Sequence, residues 1–486
     1  MLKSMWFDTI KKIEFPKLNN DIKTNLLVIG GGITGISCCY ELKDLFDNIT
    51  LVTVNDLYTG ATGYTTAKVT YQHGYIYYDL MNLLGPQKTK LYYEFNKLGL
   101  ERIQEIVEKE KIDCDFKNVD GYLVSYNNES ENLKNELKAY DEIGIKGDMV
   151  TIDIFDKMAI KVPNQARFNP LKYLHGLIER LNISIYVDTK VLKIENNVAY
   201  TENGKIEADH IIIATSYPIY PNHNLFFTKL IPSISYVVCG KAKKNIEDAN
   251  YISTKEPTVA IRYQDDTMIL SGASHKTKDI KNPHDQYHFL KNIGRTYFDI
   301  EDFTYAWSTR DFISVDYCPF VGRLDENIYL ATGYGKWGMT NSVASSLLIR
   351  DLIEKKDNKF AEAFRPYRSV LNKRFWKYNS QMIKTIIKSK KIYEHISEID
   401  AGKGKIIKFN NKRYGVYRDE KQVYVVDATC THLGCGLMFN KIDRTYDCPC
   451  HGSKFNFNGR LISGPAKKDL QVIKITNKEA NKLQDI

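Results

Sequence analysis

The sequence predicts an α/β domain on a mainly parallel sheet, interrupted by α+β inserts with mixed sheets and followed by a small all-β domain. Three observations predict it. Residues 24–29, Thr-Asn-Leu-Leu-Val-Ile, form an apolar run that leads directly into Gly30-Gly31-Gly32-Ile33-Thr34-Gly35. Two further apolar runs, Asp209–Thr215 and Asn327–Gly335, end in small or turn-forming residues. From about residue 396 the pattern changes to short strands, such as Tyr414–Tyr417 and Gln422–Val426, with cysteine- and histidine-bearing loops beyond them. Continuous apolar runs suit parallel strands covered on both faces, and short alternating runs suit antiparallel ones.

The first run is a strand, Ile36–Leu45 a helix and Ile49–Val54 a second strand. This β-α-β unit carries G-x-G-x-x-G where a dinucleotide site needs it. The glycines let the backbone turn tightly and approach a pyrophosphate, whose charge the helix N-terminus stabilises. Gly30, Gly31, Gly32 and Gly35 are therefore candidate cofactor contacts. The run at 209–215 reads as a sheet strand ending at the same cofactor. Residues 327–335 read as another strand with its glycine turn. A helix from about Asn341 to Glu354 follows, with its positive end toward the site. Segments 72–160 and 225–305 read as inserts that build a second, substrate domain.

A chain of 486 residues suggests about two to four domains. Hydrophobic content of 43% and charged content of 26% are those of a soluble globular protein. The first 20 residues hold no signal-peptide core, and no apolar run approaches membrane-spanning length, so a cytoplasmic location is expected. Of nine cysteines, Cys38, Cys39, Cys114, Cys239 and Cys318 are scattered, which argues against a secreted disulfide framework. The net charge of +9 is concentrated between Lys356 and Lys391, with 11 Lys/Arg against Asp357 and Glu362. This stretch reads as a solvated connecting helix or as a docking face for an acidic partner or anionic lipid. No nucleic-acid module is present, and nucleic acid is not an expected partner.

The other four cysteines lie in Cys430-Thr431-His432-Leu433-Gly434-Cys435 and Cys448-Pro449-Cys450-His451-Gly452-Ser453, with 15 residues between His432 and Cys448. Thiolates suit one iron and imidazoles a second, so Cys430, His432, Cys448 and His451 are candidate ligands of a [2Fe–2S] centre. Zinc is the alternative for such a set. The stretch resembles the Rieske proteins. The resemblance implies that Cys430 and Cys448 hold one iron and His432 and His451 the other. It also implies a Cys435–Cys450 disulfide tying the two loops, a covering loop at Gly464-Pro465-Ala466, and a sulfur-directed hydroxyl at Ser453.

Gly60-Ala61-Thr62-Gly63 and Ala331-Thr332-Gly333-Tyr334-Gly335 resemble the D-amino-acid oxidase/glycine oxidase class of FAD-dependent oxidoreductases. Residues 65–74, with Thr65-Thr66-Ala67-Lys68-Val69-Thr70 and Gln72-His73-Gly74, and residues 335–340 are similar to a bacterial subgroup fused to a C-terminal Rieske domain. The resemblance implies an FAD-dependent oxidoreductase over residues 22–355, its Rossmann-like FAD-binding domain discontinuous around the inserts, a basic, mostly helical linker over 356–395 and a Rieske domain over 396–486. It places Gly60, Thr62, Gly63, Thr65 and Thr66 along the diphosphate and flavin. Gly333, Gly335, Gly338, Met339 and Thr340 would close over the pyrimidine side. Thr53 stands where an acid ordinarily binds the adenosine ribose. Arg310 is a candidate carboxylate anchor, and His73, among Tyr71, Tyr75, Tyr77 and Tyr78, a candidate base or flavin neighbour. The implied activity is oxidation of a small amine or amino acid at FAD, with electrons passing to the cluster and on to an external acceptor. Reversed flow and a non-enzymatic redox sensor are the alternatives.

Overall fold

The computed structural model describes residues 3–125, 130–152, 157–219, 225–254, 257–279, 282–394 and 399–473. It divides into two compact units, Met1–Ser274 with Gln286–Asn372, and His275–Asp285 with Lys373–Ile486. The expected boundary at 395/396 and the tail from 474 lie outside the described residues.

The first unit is built around strand Ile22–Ile29. It pairs in parallel with Lys205–Ile213 on one side and Ile49–Val52 on the other, in the register Leu27↔Ile211 and Leu27↔Thr50. With both edges paired and both faces covered, Leu26, Leu27 and Val28 are wholly buried, which is why the run is continuously apolar. Ile328–Thr332 extends the sheet in parallel beyond Lys205–Ile213, and Ser184–Tyr186 extends it beyond Ile49–Val52. The expected strand to Val54 stops at Val52, and Val54 is exposed. The helix spans Ile33–Leu42, three residues ahead of expectation, because Gly32 already serves as its N-cap. All ten of its residues are buried, so it has no polar face to reveal its limits. Cys38 and Cys39 are packing residues here, and burial pushes both thiols up.

The inserts form one nine-stranded sheet, ordered 303–314, 230–241, 267–276, 259–264, 250–253, 117–124, 157–167 and 68–69, with 148–152 paired to 157–167. The helical stretch Tyr77–Glu110 breaks at Gly85, whose φ of 77° turns the chain just before Pro86. The buried carboxylate of Glu136 accepts from the N–H groups of Ile76, Tyr77 and Tyr78 at 3.1, 2.9 and 2.8 Å. These are donors that a helix start leaves unsatisfied.

In the second unit, strands 404–409, 412–418 and 423–427 form one antiparallel sheet, and 438–440, 445–447, 454–456 and 461–463 form another. Helix Lys373–Ser389 belongs to this unit: it buries Tyr378, Met382 and Ser389, and the Ser389 hydroxyl accepts from the Gly436 N–H at 3.0 Å. Arg413 donates to the carbonyls of Ile392 and Leu437 at 2.7 and 2.8 Å. The expected linker stretch 356–395 is thus divided, its last helix packing as part of the β-rich unit. Residues 275–285 also belong to this unit, with the Thr277 hydroxyl donating to the Pro449 carbonyl at 3.2 Å.

Candidate cofactor and electron-transfer sites

In the first unit the chain turns at Gly30, with φ 125°, as it leaves the central strand. A Cβ on Gly30 would lie 2.6 Å from the Ala214 carbonyl oxygen, and one on Gly35 would lie 1.9 Å from that of Gly30. These two glycines let helix, turn and neighbouring strand pack together. At Gly31 a Cβ would meet Leu57 at 2.7 Å and the Thr53 side chain at 3.1 Å. Thr53 therefore stands at the end of the second strand, against the glycine turn. Gly32 is different: a Cβ there would meet only the Thr62 side chain, its hydroxyl at 3.0 Å, a contact that a small shift relieves. The space before the helix N-terminus is open, as a bound pyrophosphate requires. Thr62 Oγ1 accepts from the Ile33 N–H at 3.1 Å and so marks one wall of this cradle. A Cβ on Gly60 would meet nothing within 4 Å. The residues present fit FAD.

The rest of residues 60–74 is held from three sides. The Tyr64 carbonyl accepts from the Trp307 indole at 2.8 Å, and that of Thr65 accepts from Trp6 at 2.7 Å. Gly63 packs too closely on the Tyr58 carbonyl to carry a side chain, since a Cβ there would lie 2.4 Å from that oxygen. Thr66 Oγ1 accepts from the Lys68 ammonium at 3.2 Å, and burial brings that ammonium down to about 7. Gly333, Gly335 and Lys336 all have positive φ, and the Gly335 N–H donates to the Phe312 carbonyl at 3.1 Å. Helix Gly338–Ile353 then starts, with Met339 and Thr340 buried. The Thr340 hydroxyl donates to Asn96 Oδ1 at 2.8 Å. Thr34 of the first helix contacts the Ser342 hydroxyl at 2.9 Å and the Tyr334 hydroxyl at 3.3 Å, joining the early turns of both helices.

His73 is brought into this assembly with both ring nitrogens engaged. Its Nε2 donates to the Thr70 carbonyl at 2.8 Å, which leaves Nδ1 to accept from the Tyr92 hydroxyl at 2.7 Å. Its ring stacks on Trp337 with centroids 4.3 Å apart, and burial holds its pKa down at about 3. A neutral imidazole with both nitrogens engaged positions Trp337 and the 70–73 turn.

Arg310 lies on the strand Phe303–Ser314. Side chains alternate along strand Phe303–Ser314. Trp307 reaches the Tyr64 carbonyl, and Ile313 lies 3.5 Å from where a Gly335 Cβ would stand. The residues sharing their face are Thr309 and Asp311. Arg310 shares the opposite face with Phe312, over whose ring its guanidinium sits at 5.6 Å, and Phe312 packs on Tyr217. The half-buried carboxyl of Asp311, pushed up to about 6 by burial, thus shares the face of Trp307 and Ile313, with Lys336 and Arg310 as its neighbouring charges. Asp311 escaped the sequence reading because strand phase was unknown; counting by twos from Trp307 is the signal that finds it.

In the second unit, loop 430–435 precedes strand Met438–Asn440, and loop 448–453 joins two strands of the same sheet. Each closes a tight turn: Gly434 N–H donates to the Cys430 carbonyl at 3.0 Å, and Gly452 N–H to that of Cys448 at 3.1 Å. A disulfide joins Cys435 to Cys450 across the loops. Cys430, Cys448 and His451 are 2%, 2% and 3% exposed, and the His432 and His451 rings stand 5.0 Å apart at 87°. The Cys430 and Cys448 thiols hydrogen-bond to each other, which brings Cys430 down to about 7 and pushes Cys448 up, so the pair releases one proton readily. Burial lowers His432 to about 4 and His451 to about 3, keeping both imidazoles neutral, as metal ligation demands. The Ser453 hydroxyl accepts from the Ala466 N–H at 2.9 Å and contacts the Cys430 thiol. Two buried thiols that share one proton and two neutral imidazoles, on loops joined by a disulfide, fit a mixed-ligand [2Fe–2S] centre.

Comparison with known proteins agrees with both cofactors. Residues 25–352 match the family model of FAD-dependent oxidoreductases, and residues 390–474 that of the Rieske [2Fe–2S] domain. The chain is 36% identical over 495 residues to "Putative Rieske 2Fe-2S iron-sulfur protein YhfW" of Bacillus subtilis (strain 168), covering 97% of both chains. Over 78 residues it is 41% identical to the cytochrome b6-f complex iron-sulfur subunit of Chlorobaculum thiosulfatiphilum, spanning 43% of that protein. Its fold is similar to that of glycine oxidase from Geobacillus kaustophilus, with a TM-score of 0.61 and 18% identity over 72% of this chain and 99% of the other. It is also similar to L-amino acid deaminase from Proteus vulgaris with its specific insertion sequence deleted, with a TM-score of 0.59, 18% identity, and coverage of 74% of this chain and 97% of the other. The chain therefore belongs to the FAD-dependent oxidoreductases, in the form that carries a C-terminal Rieske [2Fe–2S] domain.

Proposed function

We propose that the protein oxidises a small amine or amino acid at FAD and delivers the electrons through its own [2Fe–2S] cluster to an external acceptor. The observation that carries this reading is the presence in one chain of an open dinucleotide cradle at Gly32 and a Cys₂His₂ set of which only His432 is not buried. FAD supplies two-electron acceptance with one-electron release, and the cluster supplies one-electron carriage. In the chain, Gly30, Gly31, Gly32, Gly35 and Thr62 would hold the pyrophosphate, with Thr53 toward the ribose. Cys430 and Cys448 would hold one iron, and His432 and His451 the other. His432 is half-buried and its neighbour Leu433 is 46% exposed, whereas His451 is buried, so an outside redox partner reaches the centre at the His432 edge. The test is flash photoreduction of the flavin. Cluster reduction should follow at a rate independent of protein concentration; a rate that scales with concentration would place the transfer between molecules.

On the substrate side, Asp311 is the proposed anchor, binding the cationic nitrogen of the amine. The carboxylate is charged above pH of about 6 and neutral below it, so amine affinity should rise as pH increases through that value. Asp311→Asn should raise KM for a cationic amine by about tenfold or more and flatten this pH dependence. Arg310→Ala should change KM by less than about threefold. The reverse ranking of the two variants would restore Arg310 as the anchor.

A further inference from the structure

Helix Lys373–Ser389 has an exposed face that carries none of the candidate cofactor residues. Trp376, Ser380, Ile383 and Ile387 follow one another at i, i+4, i+7 and i+11, which puts them in one stripe along the helix. The stripe is bare: Trp376 is 62% exposed, Ile383 62% and Ile387 61%. Tryptophan is seldom left so open, and three large apolar side chains in register are not the scattered singles of an ordinary surface. The opposite face, with Tyr378, Met382 and Ser389, is buried in the β-rich unit, so the helix is held with its stripe outward.

A row of ammonium groups runs beside the stripe. Lys373, Lys377, Lys384, Lys388 and Lys391 recur at helical spacing and are all exposed, as is Lys390. With Arg374, residues 373–391 carry seven basic side chains and no acidic one. A second copy of the chain is a poor occupant, because pairing two such faces would bring like charges together. A lipid surface satisfies both halves of the pattern at once. Anionic headgroups attract the lysines, whose methylene stems reach along the apolar layer, while tryptophan and isoleucine enter the boundary between headgroups and acyl chains. Clusters of about 4–8 basic residues on an amphipathic helix are the recognised signature of such binding. Among the described residues no helix is long and apolar enough to cross a membrane, so attachment would lie in the surface plane.

We infer that the outer face of helix Lys373–Ser389 docks the protein on an anionic bilayer, with Trp376, Ile383 and Ile387 inserted and the lysine row on the headgroups. The experiment is co-sedimentation of the full-length protein, loaded with FAD and iron, with equimolar POPG/POPC vesicles and with pure POPC vesicles. The partition coefficient should be about tenfold or more higher on POPG/POPC, and should collapse at about 0.5 M salt, where charges are screened within a few ångströms. The triple variant Lys377→Glu/Lys384→Glu/Lys388→Glu should lose about tenfold or more in partition. Ile383→Ser/Ile387→Ser should lose partition without changing the visible spectrum or melting temperature, since both side chains lie open to solvent. Equal partition on both vesicles, or full retention in the charge-reversal variant, overturns the proposal. Absence of vesicle binding together with salt-sensitive binding to immobilised polyglutamate also overturns it, in favour of an acidic protein.

Discussion

Cys448→Ser is expected to abolish the low-g-average EPR signal of the reduced cluster while leaving the protein yellow and reducible by its substrate. Cys448 is 2% exposed, and its sulfur lies against that of Cys430. A serine hydroxyl has nearly the same shape but remains protonated, so it does not replace a thiolate on iron. The loops should keep their form, because the Cys435–Cys450 disulfide and the turns at Gly434 and Gly452 do not depend on that sulfur. Transfer to a one-electron acceptor should fall by about a hundredfold or more, with the rate of flavin reduction by substrate changed less than about threefold. The first rate is read with a cytochrome or ferricyanide, and the second by stopped-flow flavin bleaching. A variant that loses the EPR signal yet retains the acceptor rate would remove the cluster from the electron path.

Gly32→Val is expected to give a folded, colourless protein. Nothing but the Thr62 hydroxyl stands within 3.4 Å of the place where the new Cβ would sit, so the chain itself accommodates the substitution with a small shift. The branched side chain then occupies the space before the helix N-terminus and keeps a pyrophosphate from its N–H groups. FAD affinity should drop by about a hundredfold or more, some 3 kcal/mol. The visible flavin absorbance of the purified variant and its melting curve without added FAD check both halves of the statement. Gly35→Ala makes the contrast: its Cβ would lie 1.9 Å from the Gly30 carbonyl, so that variant should lose the fold of the turn along with the cofactor. Full FAD occupancy in Gly32→Val would move the pyrophosphate elsewhere.

The α/β framework was legible because its signals are local. An apolar run, a glycine turn and a helix follow one another within residues 22–42, and each constrains the next through backbone conformation. The candidate ligands of the cluster are similarly written into two short loops, where spacing along the chain limits distance in space. The fold class, the two cofactors and the oxidoreductase family all rest on such short-range patterns.

Other features depend on partners far away in sequence. His73 among its tyrosines resembled a reactive group, yet Tyr92 and Trp337 take it into the core, and neither is its sequence neighbour. Asp311 and Arg310 are adjacent, and only the packing of Trp307 on Tyr64 and of Ile313 beside Gly335 decides which of them shares that face of the strand. A strand shifted by one residue exchanges its two faces, so sequence composition alone leaves the choice open. The basic helix at 373–389 was readable as basic and helical. Its attachment to the β-rich unit through Ser389, and therefore which stripe stays exposed, required that unit to be in place. Local conformation and ligand chemistry are properties of short segments. The direction in which a side chain points is a property of the packed molecule, because burial on one face is what leaves the other to function.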